Sequence, residues 1–356
     1  MAIERFVSAQ ASDVDEPINW SLRPTRIAEY VGQADLIARL TITMQAVQKR
    51  KDPMEHVLLH GPPGLGKTTL AHVIAAEMGT KAHVTSGPAI SRGTDLVAAL
   101  TRLGPGDVLF IDEIHRLPIA VEEFIYPAME DFRIDVPVDS GMHAKTVQIT
   151  LKPFTLIGAT TRAGLISSPL RSRFGISHHL RFYTEAELFT IVERSARLLG
   201  VPVRDKAALE LIAARSRGTP RIANRLLRRV RDFAEVKADG TLAVPIIEQA
   251  LKLEGIDALG LDELDRTYLR TLGTTYKGGP AGLEAIAATM NEDSGTLEDV
   301  VEPYLLQTGF LARTRRGRMM TAAGAKHMGL KPPAEFSVDD DDDDVGPRVA
   351  AGPSLF

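Results

Sequence analysis

Continuous apolar runs alternate with helix-spaced apolar residues over the first half of the chain, and helical spacing alone takes over near Tyr183-Thr184. Leu36, Ile37, Leu40 and Met44 sit at helical spacing. The short run Val57-Leu58-Leu59 follows, and then a second helical pattern of Leu70, Val73, Ile74 and Met78. Val108-Leu109-Phe110-Ile111 and Phe154-Thr155-Leu156-Ile157 are apolar without a break, as strands covered on both faces must be. Strands that alternate with helices predict an α/β domain built on a parallel sheet. Between the last two runs, Arg133–Val138 and Val147–Ile149 alternate on either side of Asp139-Ser140-Gly141, which predicts a β-hairpin. It is either a partner-docking element or a plain surface hairpin.

Beyond residue 183 the pattern is helical. Leu188, Ile191, Val192, Leu198 and Leu199 share a face behind a Thr184/Glu187 capping box. Leu209 and Ile212 mark a second helix that stops at Gly218. Thr219 and Pro220 suit the N-cap and first position of a third, striped by Ile222, Leu226, Val230 and Phe233. Arg221 lies off that stripe, where it could face a nucleotide held by the first domain, while Arg225, Arg228, Arg229 and Arg231 read as a solvated face. From about 257 to 330 three helical patterns (Leu264 to Leu272, Leu283 to Met290, Leu297 to Leu305) precede a strand, a glycine turn and a strand. That order predicts a winged helix. The expected organisation is a leader over 1–20, a large α/β domain over 21–183, a small helical domain over 184–256, a winged helix over 257–330 and an acidic tail over 331–356.

Net charge refines this only locally. The formal −4 hides six consecutive aspartates, Asp339 to Asp344, without which the chain is weakly positive. Any nucleic-acid partner is therefore indicated by where the arginines sit rather than by net charge. Arg313, Arg315, Arg316 and Arg318, with no acid among them, suit phosphate contacts from a wing. With no cysteine in the chain, disulfides and thiolate metal sites are excluded. The first residues lack the apolar core of a signal peptide and no run reaches membrane-span length, so a cytoplasmic protein is expected.

The chemistry centres on Gly61-Pro-Pro-Gly-Leu-Gly-Lys-Thr-Thr69, a strand–loop–helix phosphate cradle. Gly64 and Gly66 let backbone N–H groups converge on phosphate oxygens. Lys67 reaches the β- and γ-phosphates, and Thr68 offers a hydroxyl to Mg²⁺. Asp112-Glu113 closes a buried strand at the edge where such sheets bind ligands, so Asp112 would hold Mg²⁺ and Glu113 polarise the attacking water. Thr161, in preference to Thr160, could sense the γ-phosphate or position the water. Arg171 and Arg173 could be surface charge or a finger reaching a neighbour's γ-phosphate, and their spacing alone does not decide between these. The segment Leu22-Arg23 and Tyr30-Val31 is placed to pack around adenine, or is simply an opening turn.

Taken in order, Leu22-Arg23-Pro24, Tyr30-Val31-Gly32-Gln33, the phosphate loop, Ile111-Asp-Glu-Ile-His-Arg-Leu117, Glu130-Asp131-Phe132, Gly158-Ala-Thr-Thr-Arg162, Leu170-Arg-Ser-Arg-Phe-Gly175, Gly218-Thr-Pro-Arg-Ile-Ala-Asn224 and Gly309-Phe310-Leu311 resemble the RuvB family. These AAA+ ATPases drive Holliday-junction branch migration. The likeness covers roughly residues 18 to 330. It implies an ATP- and Mg²⁺-dependent homohexamer around duplex DNA, working on four-way junctions with RuvA and the RuvC resolvase. On that likeness Leu22, Arg23, Tyr30 and Val31 hold adenine, and Gly64, Lys67, Thr68 and Thr69 hold phosphates. Glu130, Asp131, Phe132, Tyr183 and Arg221 fall on positions around the nucleotide. Arg173 is the trans-acting finger, the 133–149 hairpin docks RuvA, and Arg313 and Arg318 contact DNA. The chain departs from the family at Ser294-Gly295-Thr296, where an arginine is usual, and at Arg315, where proline is common. Two other classes share the ATP site: a clamp-loader-like or protein-remodelling ATPase, and a nucleotide-gated DNA-binding switch. The basic wing argues against the first, and the Asp112-Glu113 pair with Arg173 against the second.

Overall fold

The computed structural model describes residues 21–137 and 146–331; the leader, the hairpin turn and the acidic tail lie outside them. In chain order the first domain carries strands β1 (Val57–His60), β2 (Ala82–Ser86), β3 (Val108–Asp112), β4 (Arg133–Pro137), β5 (Thr146–Thr150), β6 (Thr155–Thr160) and β7 (Ile176–His179). Five of them form one parallel sheet in the order β2-β3-β6-β1-β7. Strands β4 and β5 pair antiparallel, Ile134 opposite Ile149, as the alternation predicts.

The central strands are buried on both faces because each feeds two cores. Val57 and Leu59 of β1, with Val108 and Phe110 of β3, pack with Leu36, Leu40, Leu70 and Ile74. Leu58, Leu109 and Ile111 point the other way, to Leu96, Leu100, Val121 and Ile125. This is the period-2 alternation of a strand read on both faces. The edge strands β2 and β7 are only partly buried.

The first core continues into four helices, Glu185–Leu198, Lys206–Ala214, Pro220–Lys237 and Val244–Leu253, through Leu188, Val192, Leu226 and Val230. The Thr184/Glu187 capping box forms reciprocally, with the Glu187 N–H donating to Thr184 Oγ1 at 3.3 Å and the Thr184 N–H to Glu187 Oε2 at 2.8 Å. Thr219 departs from expectation: its hydroxyl donates to the Ser216 carbonyl at 3.4 Å and does not cap the helix it precedes. The arginines of that helix are not all solvated either. Arg228 is buried and Arg225 half-buried, the latter close to Arg217 and Asp262.

That unit has its own core of Leu261, Tyr268, Leu269, Leu272, Ile286, Val301, Leu305 and Phe310. Helices Glu263–Thr274 and Leu283–Met290 precede a helix in three pieces: Ser294–Thr296, a π-helical turn Leu297–Val301, and Glu302–Gln307. The wing pairs β8 (Leu311–Thr314) with β9 (Gly317–Met320) around Arg315-Arg316. Gly317 (φ 137°) crosses Ala281 so closely that a Cβ there would lie 2.5 Å from the Ala281 oxygen. Arg217, 5% exposed, ties the two units together. Its guanidinium reaches Asp262 at 3.1 Å, Asp265 at 2.9 Å and the Val300 carbonyl at 3.3 Å, and lies over the Tyr304 ring at 5.0 Å.

Candidate active site

Parallel strands bring β1, β3 and β6 to the same edge, so three separated stretches of sequence meet there. After β1 the backbone turns through Gly61 (φ 138°), Gly64 (φ 81°) and Gly66 (φ 93°), conformations that side chains with a Cβ rarely adopt. The helix Lys67–Met78 then starts with its N–H groups facing the loop. Lys67 is buried, and its ammonium donates to the carbonyls of Gly61 at 2.8 Å and Pro62 at 2.9 Å. Burial lowers its pKa, while the charges of Asp112 and Glu113 favour the proton.

Asp112 ends β3, and its carboxyl pKa is raised by burial and by Glu113, with Lys67 opposing. Glu113 occupies the left-handed region (φ 48°), which turns its side chain toward the tip of β6. There Thr161 Oγ1 donates to Glu113 Oε2 at 3.2 Å. Thr160 turns the other way, its hydroxyl 2.9 Å from His115 Nδ1. The same His115 nitrogen lies 3.2 Å from Glu113 Oε2, and burial keeps its imidazole pKa low. His115 holds Glu113 and Thr160 together, a role that its position two residues after Glu113 gave no reason to expect.

On the opposite wall, Tyr183 Oη donates to the Leu65 carbonyl at 3.2 Å and lies at the same distance from Tyr30 Oη, whose hydroxyl is left to donate to it. The Tyr30 hydroxyl would lie 3.0 Å from a Cβ on Gly66. Leu22 is buried, and Arg194 of the helical unit holds the Leu22 carbonyl at 3.1 Å and that of Arg23 at 3.3 Å. Val31 is partly buried in the same segment, and Gln33 next to Gly32 exchanges hydrogen bonds with the Arg181 backbone at 2.7 and 3.2 Å. Arg221 closes the site. Its N–H donates to the Gly64 carbonyl at 3.4 Å, and its Cβ would lie 3.1 Å from a Cβ on Gly64. A cavity of about 60 Å³ runs from Pro62, Pro63 and Gly64 past Arg221 and Phe182 to Tyr304 of the winged-helix unit.

The remaining predicted residues sit elsewhere in the same chain, away from its own phosphate loop. The helix Ile119–Asp131 runs back from the tip of β3, so its end lies at the start of the sheet. There the Met129 carbonyl meets His56 Nε2 at 3.0 Å, just before β1. Arg173 lies at this far edge as well, before β7, with its Nε 3.0 Å from Glu130, its Nη1 donating to Pro169 at 2.6 Å and its guanidinium 4.3 Å over the Tyr126 ring. Asp131 pairs with Arg133 at 3.1 Å, and Phe132 packs edge-on against Phe154 at 5.8 Å. A four-residue strand separates this edge from the phosphate loop by roughly 13 Å. Glu130, Asp131, Phe132 and Arg173 therefore face away from their own nucleotide loop.

The wing divides its arginines in the same way. Glu302 is fully buried and accepts from Arg313 Nε at 2.8 Å, Arg318 Nε at 2.9 Å and Tyr268 Oη at 2.7 Å. Arg313 and Arg318 thus hold the base of the wing to its helix. Arg315 and Arg316 occupy the exposed turn and engage no carboxylate among the described residues. No sequence pattern marks Glu302 as their partner, since it lies eleven and sixteen residues away.

Residues 22–180 match the family described as the Holliday junction DNA helicase RuvB P-loop domain, 183–257 the RuvB AAA lid domain, and 258–329 the RuvB C-terminal winged helix domain. Among solved structures the chain is similar to Thermotoga maritima RuvB, described as a Holliday junction branch migration motor. The two share 51% identity over 88% of this chain and 100% of that one, with a TM-score of 0.81. Two point mutants of that protein match equally well, at 51% identity and a TM-score of 0.81, covering 88% of this chain and 99% of theirs.

Proposed function

The chain belongs to the RuvB family, an ATP-driven Holliday junction branch migration motor, and from that premise we propose how its residues divide the work. The carrying observation is that Lys67, Asp112, Glu113 and Thr161 share one edge of the sheet while Arg173 stands at the other.

In this reading the large domain spans 21–183, the lid 184–256 and the winged helix 257–330. Leu22, Arg23, Tyr30, Val31 and Tyr183 frame the base. Gly64, Gly66, Lys67, Thr68 and Thr69 take the phosphates, and Arg221 reaches them from the lid. The donor set fits Mg²⁺, with the Thr68 hydroxyl and the Asp112 carboxylate as its protein ligands; a bound ion would neutralise charge on the β- and γ-oxygens. Glu113, oriented by Thr161, polarises the attacking water. Arg173 meets the γ-phosphate of the neighbouring subunit, and Glu130, Asp131 and Phe132 travel with it on that face. This requires a head-to-tail ring, for which we propose a homohexamer.

The wing turn, Arg315 and Arg316 first, contacts DNA phosphates. The 133–149 hairpin is the docking element for RuvA, with RuvC joining the assembly on the junction. We place the protein in the cytoplasm; among the described residues no helix is long and apolar enough to cross a membrane. A clamp-loader-like role is not favoured, because residues 258–329 match the RuvB C-terminal winged helix domain.

The decisive experiment mixes two inactive variants. Glu113→Gln lacks the base and Arg173→Ala lacks the finger, but a mixed ring contains joints in which an intact Glu113 faces an intact Arg173. Recovery of ATP hydrolysis and of four-way-junction dissociation on mixing is the expected result. No recovery, with each variant still binding ATP and entering mixed rings, would overturn the action of Arg173 across the joint.

A further inference from the structure

Arg162 directly follows Thr161, and it belongs to both the hydrolytic edge and the winged helix. Its backbone N–H donates to Thr160 Oγ1 at 2.9 Å, the hydroxyl that also meets His115. Its guanidinium points away from the sheet. Nε and Nη2 donate to the two carboxylate oxygens of Asp299 at 2.9 and 3.0 Å, a planar fork, and Nη2 lies 3.2 Å from Glu298. Both acids ride on the π-helical turn Leu297–Val301, a departure from regular helix that recurs at functional sites.

The chain of charges continues to the wing. Glu298 Oε1 lies 3.9 Å from Arg313 and 3.7 Å from Arg318, the two arginines that share buried Glu302. Three acids and three arginines thus form one connected cluster from the tip of β6 to the base of the wing. Asp299 is also close enough for its charge to act on Lys67 and His115. Arg162, Glu298 and Asp299 are each about one-third exposed, so water can replace any of these contacts when the domains shift.

We propose that Arg162 is a positioning residue that couples the hydrolytic site to the DNA-facing wing, its main chain registering the state of the β6 tip and its fork setting the seat of the π-helical turn. The proposal rests on the ATP-driven DNA-motor reading and adds the physical connection that reading leaves open. A phosphate that draws Arg313 away from Glu298 leaves that carboxylate to Arg162 and Arg318. A displacement of Thr161 toward substrate pulls the fork the other way. Coupling of this kind is reciprocal: nucleotide must change DNA affinity by the factor by which DNA changes nucleotide affinity.

The test uses the full chain, a fluorescent duplex and two nucleotide states, ADP and a slowly hydrolysed ATP analogue. DNA affinity is measured by anisotropy in both states, and ATP hydrolysis with and without duplex. Wild type should show a ratio of affinities different from one and duplex-stimulated hydrolysis. Asp299→Asn, close in shape, should leave DNA-free hydrolysis within about twofold and bring the affinity ratio at least about fivefold nearer to one. Arg162→Ala should do the same to the ratio, and the double variant should do no more than either single one. Arg162→Lys keeps the charge without the fork and should fall between. A purely architectural strut would weaken DNA binding equally in both states, so an unchanged ratio in Asp299→Asn and Arg162→Ala overturns the relay while the motor stands. Absence of any duplex stimulation in wild type overturns the motor reading and the relay with it.

Discussion

Replacing Arg217 by methionine removes the cation from a buried triad and keeps most of the side-chain volume. Asp262 is 7% exposed and Asp265 fully buried, and both lean on this one guanidinium at about 3 Å. Burial pushes the Asp265 carboxyl up to about 8, with Arg217 pulling against it. Without Arg217, burial acts on Asp265 unopposed and its carboxyl takes up a proton, so the substitution strands one carboxylate rather than two. Breaking a buried pair from one side costs about 3–5 kcal/mol, so the low end, ~3 kcal/mol, applies here. At about 2–4 °C per kcal/mol for a unit of this size, the melting transition should drop by roughly 6–12 °C.

Differential scanning fluorimetry across pH gives the second arm. A carboxyl whose folded pKa exceeds its unfolded one binds its proton more tightly when folded. Its stabilising contribution is full below about pH 4 and fades as pH rises toward 8. Wild type should therefore lose melting temperature from pH 6 to 8, and in Arg217→Met the loss should extend to higher pH. Removing all three charges (Arg217→Met, Asp262→Asn, Asp265→Leu) should recover most of the deficit. A drop of less than about 2 °C in Arg217→Met, at the same conversion, would refute the view that this triad fastens the lid to the winged helix.

Arg315→Ala with Arg316→Ala should lower the slope of log affinity against log salt by about 1–2 and leave the melting temperature unchanged, as expected for two phosphate contacts. Arg313→Ala should lower stability instead, because it strips a partner from buried Glu302. Gly64→Val places a branched side chain at φ 81° against Arg221 and should weaken ATP binding about tenfold or more, measured by calorimetry. Burial and the neighbouring His179 and Arg171 lower the pKa of His60 to about 4, and burial lowers those of His56, His72, His115 and His178 as well. Histidines that resist protonation only when folded favour the unfolded chain in acid. The histidine contribution to stability is thus full above about pH 6.5 and falls toward pH 4, and His60→Gln should blunt that fall in urea midpoints.

The sheet, the phosphate loop and the order of domains were legible because each leaves a local mark: an unbroken apolar run, a glycine spacing, a capping box. The fourth lid helix, Val244–Leu253, and the last helix, Ala322–His327, are short and lack such marks. What spacing could not reveal is which edge a residue reaches. Glu130 and Arg173 are grouped by the return of a helix to the start of the sheet, and Arg313 and Arg318 by a buried glutamate on another element. The arginines of Pro220–Lys237 mislead for a related reason, since the helix packs on three other lid helices and buries Arg228 among them, which the spacing of its own residues does not announce.

The separation of Lys67 from Arg173 across the sheet has a consequence for how activity scales. On the trans role proposed for Arg173, each protomer carries half of two different centres, so a complete centre exists only at a joint and never within a molecule. A two-fold dimer that matched like edges would contain none, however tightly it held. Only head-to-tail contact completes a centre, and each added protomer then completes one more, with closure supplying the last. Turnover per chain should vanish on dilution faster than ATP binding does, because what dilution removes is the joint.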